Sequence, residues 1–225
     1  MHTFEIEIKS LLGNKQKADE LVNKMQLTDA DFKSLGSHKQ LNHYFVGGDL
    51  QKLFSNIEKY LTEDKQKLLK DIVSRAKDFS LRTRLADEKV ILVVKASVDD
   101  TTSENGTARL EFEAVIPNLT LDQLDKQVLD SGFTYQAKWS RERQDFSFKG
   151  LNVSIDKNAG YGYLAEFETI VKEMEKADEA KISLRKIMQD LGVAELPQDR
   201  LARMFDYYNK NWQNFYGTDK TFIID

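Results

Sequence analysis

The amino-terminal run Glu5-Ile6-Glu7-Ile8-Lys9 alternates charge and hydrocarbon at every step. A β-strand sends successive side chains to opposite faces, so this run puts two carboxylates and an ammonium on one face and Phe4, Ile6 and Ile8 on the other. The same device returns along the chain. It places Arg82 and Arg84 in FSLRTRL, Lys95 in VILVVKAS, and Arg109, Glu111 and Glu113 in ARLEFEAVI. Arg141 and Arg143 follow, then Asp156 in LNVSID, and Glu166 and Glu168 in LAEFE close the series.

Seven acids and seven bases thus occupy alternate positions of strand-like segments. An antiparallel sheet with one solvated face also carries mixed charge at period two, and that is the simplest account of any single segment. The grouping of types asks for more, because arginine pairs at spacing two occur in two segments and glutamate pairs in three. Such a lining suits a triphosphate with its metals: cations neutralise phosphate oxygens, carboxylates hold divalent metal, and the metal bridges the two.

The rest of the composition bounds this reading without sharpening it. A chain of 225 residues, 40% hydrophobic and 31% charged, is enough for one sizeable domain with a packed core. The absence of cysteine excludes a disulfide framework, a thiolate metal site and a cysteine nucleophile, and fits a reducing compartment. No apolar run approaches the ~20 residues of a membrane span, and the first residues are charged within a strand pattern, so a cytoplasmic location without a membrane partner is expected. A net charge of -4 argues against a general nucleic-acid coat, although an internal basic lining can bind a polyanion under an acidic exterior.

Periodicity organises the remainder. The first strand leads to a helix over 15–25, whose Ala18, Leu21, Val22 and Met25 form one apolar stripe. After a loop, Leu41 to Gly47 reads as a second strand, and between Asp49 and Lys77 the period turns helical for two inserted helices. Strands over 79–85 and 90–96 form a hairpin, and the polar tract Asp99 to Thr107 is a loop before a strand over 108–116. Thr120 N-caps a helix that runs through Leu129 and stops at Gly132. Strands over 135–148, 151–156 and 164–170 follow, the last after turn glycines Gly160 and Gly162. A helix over 178–191 stops at Gly192, and Pro197 precedes a helical segment at about 198–217 whose Phe205, Tyr207, Tyr208, Trp212, Phe215 and Tyr216 are expected to pack against the body. His2, His38 and His43 share no metal-ligand spacing, which argues against zinc.

The ordered series Glu5-x-Glu7-x-Lys9, paired arginines, a lone strand lysine, Arg-x-Glu-x-Glu, Arg-x-Arg, an aspartate and Glu-x-Glu resembles the CYTH domain of the triphosphate tunnel metalloenzymes, from Phe4 to Ile170. The resemblance implies an α+β fold: a closed antiparallel β-barrel around a triphosphate tunnel, helices packed outside, and a single domain over 1–225. It also implies Mg²⁺ or Mn²⁺. Carried over residue by residue, Glu5, Glu7, Asp156, Glu166 and Glu168 hold metal. Lys9, Arg82, Arg84, Lys95, Arg109, Arg141 and Arg143 take phosphate oxygens, and Glu111 and Glu113 balance the lining or position water. Glu5, Glu7, Lys9 and Asp156 are the residues expected closest to the chemistry.

An empty lining of this kind has to be wet or internally paired, since an unpaired buried charge costs several kcal/mol. Lys138 falls on the opposite parity from Arg141 and Arg143, so it faces outward unless a bulge intervenes. The chain departs from the family pattern in three places. Asn42-His43-Tyr44-Phe45-Val46 supplies no aspartate, Ala96 follows Lys95 in place of glycine, and Asp199-Arg200 stands where Ser-Tyr is usual.

Two reactions fit the lining. A triphosphatase attacks the terminal phosphorus of tripolyphosphate, ATP or another triphosphate with water, whereas a class IV adenylate cyclase attacks the α-phosphorus of ATP with the ribose 3′-hydroxyl, giving cyclic AMP and pyrophosphate. Hydrolysis is preferred because carboxylates are plentiful and no residue set marks an adenine pocket. A polyphosphate- or nucleotide-binding module without turnover is the third reading, since one fold hosts many functions.

Overall fold

The computed structural model describes residues 4–97 and 109–224, with the backbone alone at Phe4, Glu5, Ser97, Arg109, Leu110 and Met174. His2 and the tract from Asp99 to Ala108 lie outside the described residues. The chain runs β1 (Phe4–Gly13), α1 (Lys15–Thr28), β2 (Lys33–Gly47), α2 (Leu50–Ile57), α3 (Glu63–Arg75), β3 (Asp78–Ala86), β4 (Lys89–Ser97) and β5 (Arg109–Val115). It continues through α4 (Leu121–Asp130), β6 (Phe133–Phe148), β7 (Leu151–Asn158), β8 (Gly162–Val171), α5 (Ala177–Leu191) and α6 (Gln198–Asn211).

The eight strands join in the order β1-β8-β7-β6-β2-β3-β4-β5. That is the α+β antiparallel architecture expected. The hydrogen-bonded order starts at β1 and ends at β5, so among the described residues the sheet is not closed on itself. The edge of β1 is instead covered at Lys9, whose carbonyl accepts from Leu196 N–H at 2.7 Å. At β5, the Glu113 carbonyl accepts from Lys65 Nζ at 2.7 Å. Both contacts use up backbone groups that an edge strand would otherwise offer to another chain.

Two compact units divide the chain: Met1–His38 with Ser140–Asp225, and Lys39–Trp139. In the first, α1 and α5 bury Leu21, Met25, Leu184 and Met188 with Ile6, Ile8, Phe148, Val153 and Phe167 of the strands. Asn14 caps α1 through its side chain, and Gly192 ends α5 at φ 73° in the left-handed region. In the second unit, α2, α3 and α4 bury Leu53, Ile57, Leu69, Ile72, Leu124 and Val128 with Leu81, Leu92, Val94 and Phe112. Asp49 caps α2, and Thr120 with Gln123 forms a capping box on α4. Each unit therefore spends one face of its strands on helices, and strand alternation commits the other face to everything else.

Two expectations change. β2 begins at Lys33 rather than at about Leu41, because the segment before Gln40 is exposed throughout and carries no apolar alternation to announce a strand. In β6 the buried positions are odd at Phe133 and Ala137 but even at Phe146 and Phe148, so the alternation reverses phase along the strand. Lys138 is half-buried, with its ammonium 4.1 Å from the ring centroid of Tyr135, a residue packed against the core of the second unit.

Of the α6 aromatics, Tyr208 packs within the first unit as expected, whereas Phe205 and Tyr207 are each 41% exposed. Tyr208 is fully buried, against Tyr161 at 5.9 Å and Phe215 at 5.9 Å between ring centroids. Gly160 meets this cluster at φ 84°, where an added methyl would sit 2.7 Å from the Tyr208 ring, and glycine is the residue that tolerates both.

Candidate active site

Residues directly opposite in an antiparallel ladder share a face. In the first unit the register sets Glu7 opposite Glu168 and Lys9 opposite Glu166, while Glu166 lies opposite Ser154 and Asp156 opposite Arg143. One face thus carries Glu7, Lys9, Arg141, Arg143, Asp156, Glu166 and Glu168, and its reverse is the face that α1 and α5 cover. Glu5 stands opposite Ile170 in the same ladder, its side chain outside the described part.

The charges pair closely. Lys9 donates to Glu166 Oε1 at 2.8 Å and also meets Glu7. Arg143 grips Asp156 with two bonds, Nε to Oδ1 at 2.8 Å and Nη2 to Oδ2 at 2.7 Å, and its Nη2 also donates to Glu166. Arg141 adds a bond to Asp156 Oδ2 at 2.9 Å. Asp156 is 1% exposed, and both arginines pair with it there.

Burial alone would raise the Glu166 pKa, but Lys9, Arg143 and Arg141 outweigh it and hold the carboxyl at about 2. Burial would likewise lower Arg143, and the bonds and charges of Asp156 and Glu166 more than reverse it, so the guanidinium is fixed in its charged form. A carboxyl depressed from 4.5 to about 2 stabilises the fold fully above pH ~4.5 and loses that contribution as pH falls toward 2. The contribution is about 3 kcal/mol, of which about 2 kcal/mol is gone by pH 3. Urea unfolding in EDTA should show wild type losing that much more stability than Glu166→Gln between pH 5 and pH 3. Parallel pH profiles would show that Glu166 is not held down by its neighbours.

The second unit repeats the arrangement with fewer acids. Its ladders set Asn42 opposite Arg84, Tyr44 opposite Arg82, Lys95 opposite Glu111 and Val93 opposite Glu113. Arg84 Nε donates to Asn42 Oδ1 at 3.0 Å and its guanidinium lies 3.5 Å from Glu113. Lys95 lies 3.3 Å from Glu111. Arg82 donates to Tyr44 Oη at 2.9 Å, and its Nε is buried with no partner among the described residues. Arg109 pairs with Ser97 through the backbone, its side chain outside the described part.

Sequence reasoning missed Asp145 and Ser154, which share the charged face of the first unit and bond to each other at 2.7 Å. Asp145 lies two residues beyond Arg143, so the same alternation could have found it. Asn42 and Tyr44, a departure from the family pattern in sequence, are the groups that orient Arg84 and Arg82.

The carboxylates of the first unit offer a donor set to a divalent metal. Its oxygens are hard, and Glu7 and Glu168 face each other as like charges, an unfavourable pairing that a cation relieves. Among the described residues no three acids or histidines gather into a cage. Mg²⁺ bound through one or two carboxylates and the substrate's own phosphates needs no such cage, so the residues fit that mode.

Solved structures share this antiparallel α+β fold, the one expected of a CYTH domain. The chain aligns with a candidate adenylate cyclase from Vibrio parahaemolyticus at 13% identity, over 92% of this chain and 99% of that one, with a TM-score of 0.58. It aligns with the PH1819 protein of Pyrococcus horikoshii at 23% identity, over 87% and 94%, with a TM-score of 0.56. A candidate adenylyl cyclase from Hippeastrum with a dominant triphosphatase activity aligns at 17% identity, over 90% and 96%, with a TM-score of 0.50. These likenesses establish the fold. No family model matches the chain, and no curated protein matches it. No helix among the described residues is long and apolar enough to cross a membrane.

Proposed function

We propose that this chain is a divalent-metal-dependent phosphohydrolase that acts on a triphosphate. The observation that carries the reading is the face of the first unit. There Glu7 and Glu168 oppose each other one ladder step from Lys9 and Glu166, and two arginines hold a buried Asp156. A solvated sheet face has no need of a desolvated carboxylate under two guanidinium groups.

Lys9, Arg141 and Arg143 are the cations proposed to take phosphate oxygens, joined by Arg82, Arg84, Lys95 and Arg109. Arginine suits a phosphate because its planar fork donates two parallel bonds. Glu5, Glu7, Asp156, Glu166 and Glu168 are the proposed ligands of Mg²⁺ or Mn²⁺, which when bound polarises phosphoryl oxygens and lowers the pKa of water. Glu111 and Glu113 balance charge beside Lys95 and Arg84. Lys9, Arg141 and Arg143 already donate to carboxylates of the set. Triphosphate therefore has to displace those acids from the bases, and a cation that engages the acids favours the exchange, so each ligand strengthens the other's binding.

In the hydrolytic reaction water adds to the terminal phosphorus, the bond to the bridging oxygen breaks, and the leaving diphosphate departs with its charge held by the basic residues. A second reading, cyclisation of ATP by its own 3′-hydroxyl, draws support from the candidate cyclases that share the fold. One product analysis separates the two. Tripolyphosphate in Mg²⁺ or Mn²⁺ is expected to release phosphate, and ATP to give ADP and phosphate, with neither reaction in EDTA. Cyclic AMP and pyrophosphate as the main products of ATP, with tripolyphosphate acting only as an inhibitor, would replace hydrolysis by cyclisation. Metal-dependent binding with no product would leave a sensing module.

A further inference from the structure

The second unit buries a polar cluster that the proposed chemistry does not use. Asp125 of α4 has a side chain 2% exposed, among apolar neighbours. Its carboxylate accepts from His43 Nδ1 at 2.6 Å, from Thr83 Oγ1 at 2.6 Å and from Tyr135 Oη at 2.7 Å. Burial would raise its pKa, but the three donors outweigh burial and keep it ionised. One helix residue therefore ties down three strands, β2, β3 and β6.

The positions of the donors give the cluster its meaning. His43 and Thr83 lie directly opposite each other in the β2–β3 ladder. On either side of that pair, and on the reverse face, stand Asn42 with Arg84 and Tyr44 with Arg82. Each arginine is the chain neighbour of Thr83, and each orienting group is the chain neighbour of His43. A shift of either strand at Asp125 moves both arginine pairs together, since backbone displacement is shared by adjacent side chains on opposite faces.

We propose that Asp125, acting through Thr83 and His43, is a positioning residue for Arg82 and Arg84, and that affinity for a polyphosphate depends on this buried anchor, which cannot touch the ligand. The inference rests on the function proposed above. An apolar residue would fill the site more cheaply, because a buried carboxylate has to be fully bonded to be tolerated. The charged anchor adds directional bonds, and these fix the strands where hydrophobic packing alone leaves them free to adjust.

Steady-state kinetics on inorganic tripolyphosphate in Mg²⁺ test it. Thr83→Val keeps the volume and removes one bond, and should raise KM about fivefold with kcat held within about twofold, the sign of lost uniform binding. Asp125→Asn should raise KM by about tenfold or more on the same grounds. In a chain that already carries Arg82→Ala and Arg84→Ala, adding Thr83→Val should change KM by less than about twofold, because the residues it positions are gone. A purely structural role would lower the unfolding temperature of Thr83→Val equally in both backgrounds and leave KM unmoved in each. Thr83→Val with wild-type KM in a protein that turns over tripolyphosphate overturns the inference alone, even if Asp125→Asn does not fold. A wild-type protein that neither binds nor hydrolyses tripolyphosphate overturns the proposed function and this inference with it.

Discussion

Glu7→Gln and Glu168→Gln are each expected to cut triphosphate turnover by at least about 10²-fold, and Glu7→Gln to leave the protein as stable as before or slightly more so. The two residues face each other across the β1–β8 ladder, and like charges in that relation repel. Glutamine keeps shape and removes the repulsion, at the cost of the partly exposed contact between Glu7 and Lys9, which is worth no more than about 1 kcal/mol. A pair kept for stability would behave in the reverse way, since neutralising a stabilising charge lowers the unfolding midpoint. Lower activity at unchanged stability is the mark of a site whose charges are held for a ligand. The measurement is kcat/KM against Mg²⁺ or Mn²⁺ concentration, with urea unfolding of the same samples in EDTA. Full activity in both variants would remove these carboxylates from the metal site, and reduced activity that higher metal restores would place them there.

The charged face was readable in the sequence because strand alternation is a strict rule. Once Ile6 and Ile8 face a core, Glu7 and Lys9 have only the other side, and the ladders of both units follow that parity. Helix ends were equally legible where a local rule fixed them, at Thr120 and Gly192. What stayed hidden lacked a local signature. The first half of β2 is polar and exposed, so no pattern separates it from a loop, and only partner strands decide that it is extended. The phase reversal in β6 is invisible because Ser140, Arg141 and Glu142 suit either face. The Asp125 cluster reaches Thr83 and His43, 42 and 82 positions away in the chain. In sequence Asp125 is one more acid on an amphipathic helix, set beside the apolar stripe by its spacing from Leu121 and Val128, but nothing there names the partners that let the fold bury it while Asp122 stays exposed.

Arg143→Ala is expected to damage both stability and function, and the two losses can be pulled apart. Arg143 supplies two of the three bonds that Asp156 receives from arginine, so its removal leaves a carboxylate 1% exposed with Arg141 alone. Breaking one side of a buried pair costs roughly 3 kcal/mol or more, because the remaining charge stays desolvated without its partner. If the guanidinium also takes phosphate oxygens, kcat/KM falls by about 10²-fold or more in the same variant. Arg143→Lys keeps the charge but loses the fork, so its stability should lie between alanine and wild type, with most of the activity still missing. Combining Arg143→Ala with Asp156→Asn removes the orphaned charge and should return about half or more of the lost stability. Activity should not return with it, since the phosphate contact is gone and Asp156 is itself in the proposed metal set. Recovery of both together would reduce Arg143 to the counterion of Asp156, and unchanged kinetics in Arg143→Ala would place it outside the site altogether.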